Sequence, residues 1–216
     1  MTNKIKIIIF LIILFSFGVA FYFYPKMPDI VASHWNAQGQ VDGYMPKFWG
    51  LFLMPLISLL MAVLLLLIPK IDPLKENIKK FRKYFDTFIV LILLFLFYIY
   101  SLTIIWNSGK TFNMTYAMVP AFAILFYFAG ILVEKAKRNW FIGIRTPWTL
   151  SNEEVWDKTH KIGGKLFKIS AFISLLGLLS YKYAFWFVFL PIILMTVYLF
   201  LYSYFEFQKM KKNGKS

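Results

Sequence analysis

Six stretches of this 216-residue chain are long enough and apolar enough to cross a lipid bilayer: residues 5–24, 48–68, 85–106, 114–133, 166–181 and 185–205. A hydrocarbon core about 30 Å thick takes roughly 20 apolar residues in a helix rising about 1.5 Å per residue. The runs are apolar all round, as spans packed against lipid and one another should be. Only Lys182 and its neighbours separate the last two, which predicts a tight helical hairpin there. Residues are 60% hydrophobic and 16% charged, against about 25% charged in a soluble domain. A soluble fold of that composition would expose a large aggregating surface. This excludes a soluble enzyme, a nucleic-acid-binding domain and a disordered tail. The expected fold class is therefore all-α: a polytopic membrane bundle of six transmembrane helices forming one membrane domain over residues 1–216.

Basic residues give the orientation. Twenty of the 24 Lys and Arg residues fall in the N-terminus, the second–third connection, the fourth–fifth connection and the C-terminus. Four, Lys26, Lys47, Lys110 and Lys182, fall on the other side. The excess of basic residues in cytoplasmic segments predicts a multi-pass cell-membrane protein with both termini in the cytoplasm. It also accounts for the net charge of +14 without nucleic acid as a direct partner; the lipid bilayer supplies the counter-charge. A signal peptide is the competing reading of the first run, with Lys4 and Lys6 as its basic region and Gly18-Val19-Ala20 as a weak cleavage pattern. At about 20 residues the run exceeds the usual apolar region of 7–15.

Two connections are too long for simple turns. The outward one, residues 25–47, opens with Pro25 and Pro28, which cannot continue a helix, and carries turn signals at Gly39 and Asp42-Gly43. Pieces 30–35 and 40–44 are expected to pair as a small hairpin, a folded extracellular cap. His34 and Asn36 are expected to hydrogen-bond within the loop. A metal site there would rest on His34, Asp29 and Asp42 alone, and no metal or other cofactor is expected. Trp35, Tyr44 and Trp49 suit either the membrane interface or a docking surface for a peptide.

The inward connection, residues 134–165, has Pro147 forcing Thr146 out of helical geometry. A helix start follows, with Ser151 and Glu154 as a capping box and Leu150 and Val155 as its hydrophobic staple. The helix is expected over 152–162 as a cytoplasmic amphipathic helix along the membrane, with Gly163-Gly164 ending it or bending it into the fifth span. Glu153, Asp157 and His160 share one stripe, which suits an acid–base cluster or simply a solvated face. Arg145 is expected on a headgroup phosphate or on loop backbone.

The outward Met27-Pro28…His34-Trp35-Asn36…Gly39…Asp42-Gly43-Tyr44…Lys47 resembles the loop motif of a widespread membrane domain of unassigned chemistry. The inward Asn139-Trp140-Phe141-Ile142-Gly143-Ile144-Arg145-Thr146-Pro147-Trp148-Thr149-Leu150-Ser151…Val155-Trp156…Thr159-His160…Gly163-Gly164 resembles the signature of the SdpI family. Together on six spans they make the SdpI architecture. The resemblance implies immunity to a secreted peptide toxin, and signalling in which a cytoplasmic transcriptional repressor is held at the membrane. It implies no enzyme. An extracellular ligand is then expected at His34, Trp35, Asn36, Gly39, Asp42, Gly43, Tyr44 and Lys47. A cytoplasmic partner is expected at Asn139, Gly143, Arg145, Thr146, Pro147, Trp148, Thr149, Trp156 and His160. The rival readings are a toxin-independent sensor or scaffold, a small-solute transporter and a membrane enzyme. Spans nearly free of ionisable residues argue against transport. Two histidines expected on opposite faces cannot serve one catalytic centre.

Overall fold

The structure, a computed structural model, describes residues 2–212. Lys215, counted among the basic residues of the C-terminus, lies outside them. Helix α1 (Asn3–Phe23) leads through a short 3-10 turn into strands β1 (Ile30–Trp35) and β2 (Val41–Pro46). Next come α2 (Lys47–Ile71), the short α3 (Lys75–Lys80), α4 (Arg82–Asn107) and α5 (Met114–Lys135). Then follow α6 (Pro147–Ser151), α7 (Glu153–Leu175), a 3-10 turn and α8 (Ala184–Lys212). Six of these helices are long and apolar enough to cross a membrane, as the six runs predict. The chain is an all-α membrane bundle with one two-stranded sheet.

The amphipathic stretch 152–162 is not a separate surface helix. It forms the first turns of α7, which continues unbroken through Gly163-Gly164 into the fifth span. The reason lies across the interface. A Cβ at Gly164 would fall 2.8 Å from the Gly130 carbonyl oxygen, and one at Gly130 would fall 2.7 Å from that of Gly164. These glycines let the α5 and α7 backbones touch, the small-residue packing that replaces hydrophobic driving force inside lipid. The cap also moves by one residue. Ser151 donates its hydroxyl to the Pro147 carbonyl and closes α6, while Asn152 caps α7 by accepting from the Val155 N–H at 3.0 Å.

Two apolar clusters fill the α1–α2–α4 side. One centres on Phe81, Phe85, Ile89 and Leu93, the other on Leu51, Phe52 and Tyr100 beneath the sheet. Hydroxyls within the spans bond back to their own helix, as Ser16 to Ile12, Ser101 to Phe97 and Ser174 to Ser170, so they expose no polar atom to lipid. The charged pairs between helices and within their ends lie mostly opposite the sheet: Arg82 with Asp86, Lys168 with Glu134, and Lys158 and Lys209 with Glu206. The sheet end and this charged loop end are thus the two chemically distinct poles of the bundle.

Candidate functional site

At the sheet end, β1 and β2 pair antiparallel, with register shifts on either side of His34. The expected loop bonds form. His34 Nδ1 donates to the Asp42 carboxylate at 2.5 Å, and Asn36 Oδ1 accepts from the N–H groups of Gln38 and Gln40, each at 3.0 Å. Lys47, 2.9 Å from Asp29, closes the base of the hairpin, and its hydrogen bond holds the Asp29 carboxyl below the usual carboxylate range.

The hairpin is fastened to the helices by residues outside the expected set. Asn107, at the end of α4, accepts from the Ala32 N–H at 2.8 Å and donates to the Ala32 carbonyl at 3.0 Å, acting as one more strand residue. Asn113 donates to the Gln38 carbonyl at 2.6 Å, and Thr115 to that of Asn36 at 3.2 Å. Asn107 reads in the sequence only as a polar residue at a span end. Asn113 and Thr115 flank the start of the fourth run, where a polar cap carries no mark of a distant partner.

Between hairpin and helices lies a cavity of about 260 Å³. His34 and Trp35 line it together with Met45, Met54, Met114 and Met118. Four unbranched thioethers make an adaptable apolar wall. The Trp35 indole N–H is shielded from solvent and has no hydrogen-bond partner, while its ring meets Trp106 edge-on at 5.7 Å. Tyr44 is 64% exposed and does not line this cavity.

At the loop end, the segment from Ala136 to Asn152 folds around Asn139, which is fully buried. Its amide uses its whole bonding capacity. Oδ1 accepts from the N–H groups of Phe141 (2.9 Å) and Ile142 (2.6 Å), and Nδ2 donates to the carbonyls of Lys137 and Ile142, both at 2.8 Å. Gly143 then takes φ +119, a region an L side chain rarely enters, and a Cβ there would run into the His160 ring. This lets the Ile144 N–H reach His160 Nε2 at 3.0 Å. His160 Nδ1 lies 2.8 Å from the Trp156 carbonyl, and the imidazole stacks on the Trp156 indole at 3.8 Å. Trp156 in turn donates to the Ala136 carbonyl at 2.9 Å.

Thr146 and Thr149 cap each other across α6, and the Thr146 hydroxyl meets Ser203 of α8 at 3.0 Å. Trp148 packs edge-on against Phe200 and Tyr204 of α8. Asp72 of the α2–α3 connection accepts from the Trp140 N–H at 2.9 Å, and Asn77 of α3 donates to the Arg138 carbonyl at 2.9 Å. The segment therefore touches α3, α7 and α8 through specific bonds or rings. Asp72, Asn77 and Ser203 escape a motif-based reading, because their partners lie far off in the chain.

Of the residues expected to meet a cytoplasmic partner, Asn139, Thr146, Thr149, Trp156 and His160 are buried and build the loop itself. Arg145 and Pro147 remain exposed, beside Trp140 and Phe141. Arg145 takes the backbone alternative, donating to the Trp140 carbonyl at 2.8 Å. The stripe of Glu153, Asp157 and His160 divides: His160 faces Ile144, and Asp157 pairs with Lys137 at 3.2 Å.

Comparisons with known proteins agree with these two poles. A model of the SdpI/YfhL protein family matches residues 135–203, the loop end with the last two spans. A model of a domain of unknown function (DUF1648) matches residues 11–59, which hold the hairpin. Immunity protein SdpI of Bacillus subtilis (strain 168) is 24% identical over 208 residues, covering 96% of this chain and 98% of that one. No solved structure matches the chain. The resemblance carried by the two loops is thereby shown: residues 135–203 bear the SdpI/YfhL match, and the likeness to an SdpI immunity protein runs through nearly the whole multi-pass membrane chain.

Proposed function

We propose that this protein confers resistance to a secreted peptide toxin, and that it signals the encounter by holding a transcriptional repressor at the cytoplasmic face. The observation that carries the reading is the sheltered cavity under the hairpin, with a flexible methionine wall and one unpartnered indole N–H at Trp35. An apolar peptide side chain suits the wall, and a peptide carbonyl suits the N–H once the shielded Trp35 ring turns toward the cavity. The basic residues support an orientation with the hairpin outside and both termini inside, because four of the 24 fall at the sheet end.

The hairpin rests on α4 through Asn107 and on α5 through Asn113 and Thr115. Helix α5 ends at the opposite pole, where the Ala136 carbonyl receives Trp156. A toxin that binds one setting of α5 better than another shifts the loop by that difference in affinity and no more. The exposed patch of Trp140, Phe141, Arg145 and Pro147 is the surface offered to a repressor. A toxin-independent sensor would use the same two poles with a different ligand.

The test is survival of a toxin-sensitive strain expressing the chain and challenged with the purified peptide toxin of the SdpI system. Protection is expected, and it is expected to fall in His34→Ala and Asp42→Ala variants present at equal membrane levels. Absence of protection, with the unchanged chain correctly inserted, contradicts the immunity reading.

A further inference from the structure

Three cations from three helices stand around one groove at the loop end. Lys6 of α1, Lys70 in the last turn of α2 and Arg82 at the start of α4 line a cavity of about 580 Å³. Its other walls are apolar side chains of α1 and α2. Among them Phe10, Leu59 and Val63 are 62%, 42% and 46% exposed. These are membrane-spanning helices, so that exposure is toward lipid tails, and the groove opens sideways into the bilayer.

Asp86 neutralises one of the three cations, Arg82. Arg82 gives its Nε to Asp86 and retains further N–H donors on the guanidinium. Among the described residues, no carboxylate pairs with Lys6 or Lys70. Two uncompensated ammonium groups at the rim of a lipid-facing apolar groove match one kind of molecule on both counts. A free phosphate would answer the charges and leave the groove empty. A lipid with no net charge would fill the groove and leave the charges unanswered.

We propose that this groove is a binding site for an anionic phospholipid, with the headgroup phosphate between Lys6 and Lys70, Arg82 beside it, and an acyl chain along Phe10, Leu59 and Val63. Basic pockets between spans recognise such headgroups, each Lys or Arg near the surface adding to the attraction. The bound lipid would bridge α1, α2 and α4 where, among the described residues, no ion pair joins α1 to α2. This inference is independent of toxin binding.

Native mass spectrometry of the full-length protein, released from detergent with phosphatidylglycerol or with phosphatidylcholine of identical chains, tests it. Phosphatidylglycerol is expected to be retained in preference. A Lys6→Gln/Lys70→Gln variant should lose that retention by roughly fivefold for each lysine removed. Lys6→Arg/Lys70→Arg should keep it, and Lys110→Gln/Lys182→Gln at the sheet end should bind as the unchanged chain does. Far-ultraviolet circular dichroism confirms that each variant is folded. Equal retention of the two lipids, undiminished retention by the double Gln variant, or displacement of the lipid by millimolar inorganic phosphate would each overturn the proposal.

Discussion

His160 Nε2 accepts the backbone N–H of Ile144, sixteen residues away in sequence, at 3.0 Å. Because Nε2 accepts and Nδ1 faces the Trp156 carbonyl, the ring is neutral with its proton on Nδ1. The contact exists only because Gly143 has no side chain at φ +119. Gly143→Ala should therefore destabilise the protein by about 1–3 kcal/mol from backbone strain, with the collision against His160 adding to it. Thermal unfolding in detergent measures this. His160→Ala in the Gly143→Ala background should remove the collision and leave the strain, so the two changes should be non-additive.

Asn139 makes four hydrogen bonds in a fully buried position. Asn139→Asp keeps the two acceptor bonds and sets a carboxylate oxygen against the Lys137 and Ile142 carbonyls. The expected cost is about 1–3 kcal/mol or more, since buried polar groups lose their partners. Limited proteolysis of the 136–152 segment should speed up, and cleavage elsewhere should not. An unchanged proteolysis pattern would show that Asn139 does not hold the loop.

Contact between Gly130 and Gly164 sets how closely α5 and α7 approach. Gly164→Leu forces the helices apart and should cost about 1–3 kcal/mol through overpacking. In the same variant Lys168 should lose its contact with Glu134. Gly18→Leu, at an α1 position where a Cβ meets nothing, should be tolerated. Equal stability of the Gly164 and Gly18 variants would contradict this packing.

Asn107 supplies two hydrogen bonds to Ala32 and so fixes the hairpin to α4. Asn107→Leu leaves both Ala32 backbone groups without that partner, at a cost of about 1–3 kcal/mol. Hydrogen exchange at residues 30–46 should accelerate while the loop end stays protected. If exchange at 30–46 does not change, the hairpin is held by its own sheet and by Asn113 and Thr115 alone.

Much of this fold is legible in the sequence, because bilayer thickness fixes span length and Pro and Gly mark the turns. The 30–35 strand matches that expectation, and the second strand shifts by one or two residues to Val41–Pro46. What escapes is tertiary. Gly163-Gly164 looks like a break until α5 is seen to need those positions bare. Asn139, Trp156 and His160 stand out in the motif, yet the chain alone does not say whether such residues face a partner or face inward. That is settled by Ala136, Ile142 and Ile144, whose backbone groups receive or supply their bonds. The fastening of the hairpin by Asn107, Asn113 and Thr115 spans more than seventy residues, beyond any local pattern.

Toxin recognition at the hairpin and repressor binding at the 136–152 loop require the two to lie in different compartments. The chain has no cysteine, so a single introduced one reports unambiguously. Cells carrying Tyr44→Cys or Arg145→Cys are treated with a membrane-impermeant maleimide. Labelling of Tyr44→Cys in intact cells, and of Arg145→Cys only after permeabilisation, is the predicted result; reaction of both from the same side would contradict it.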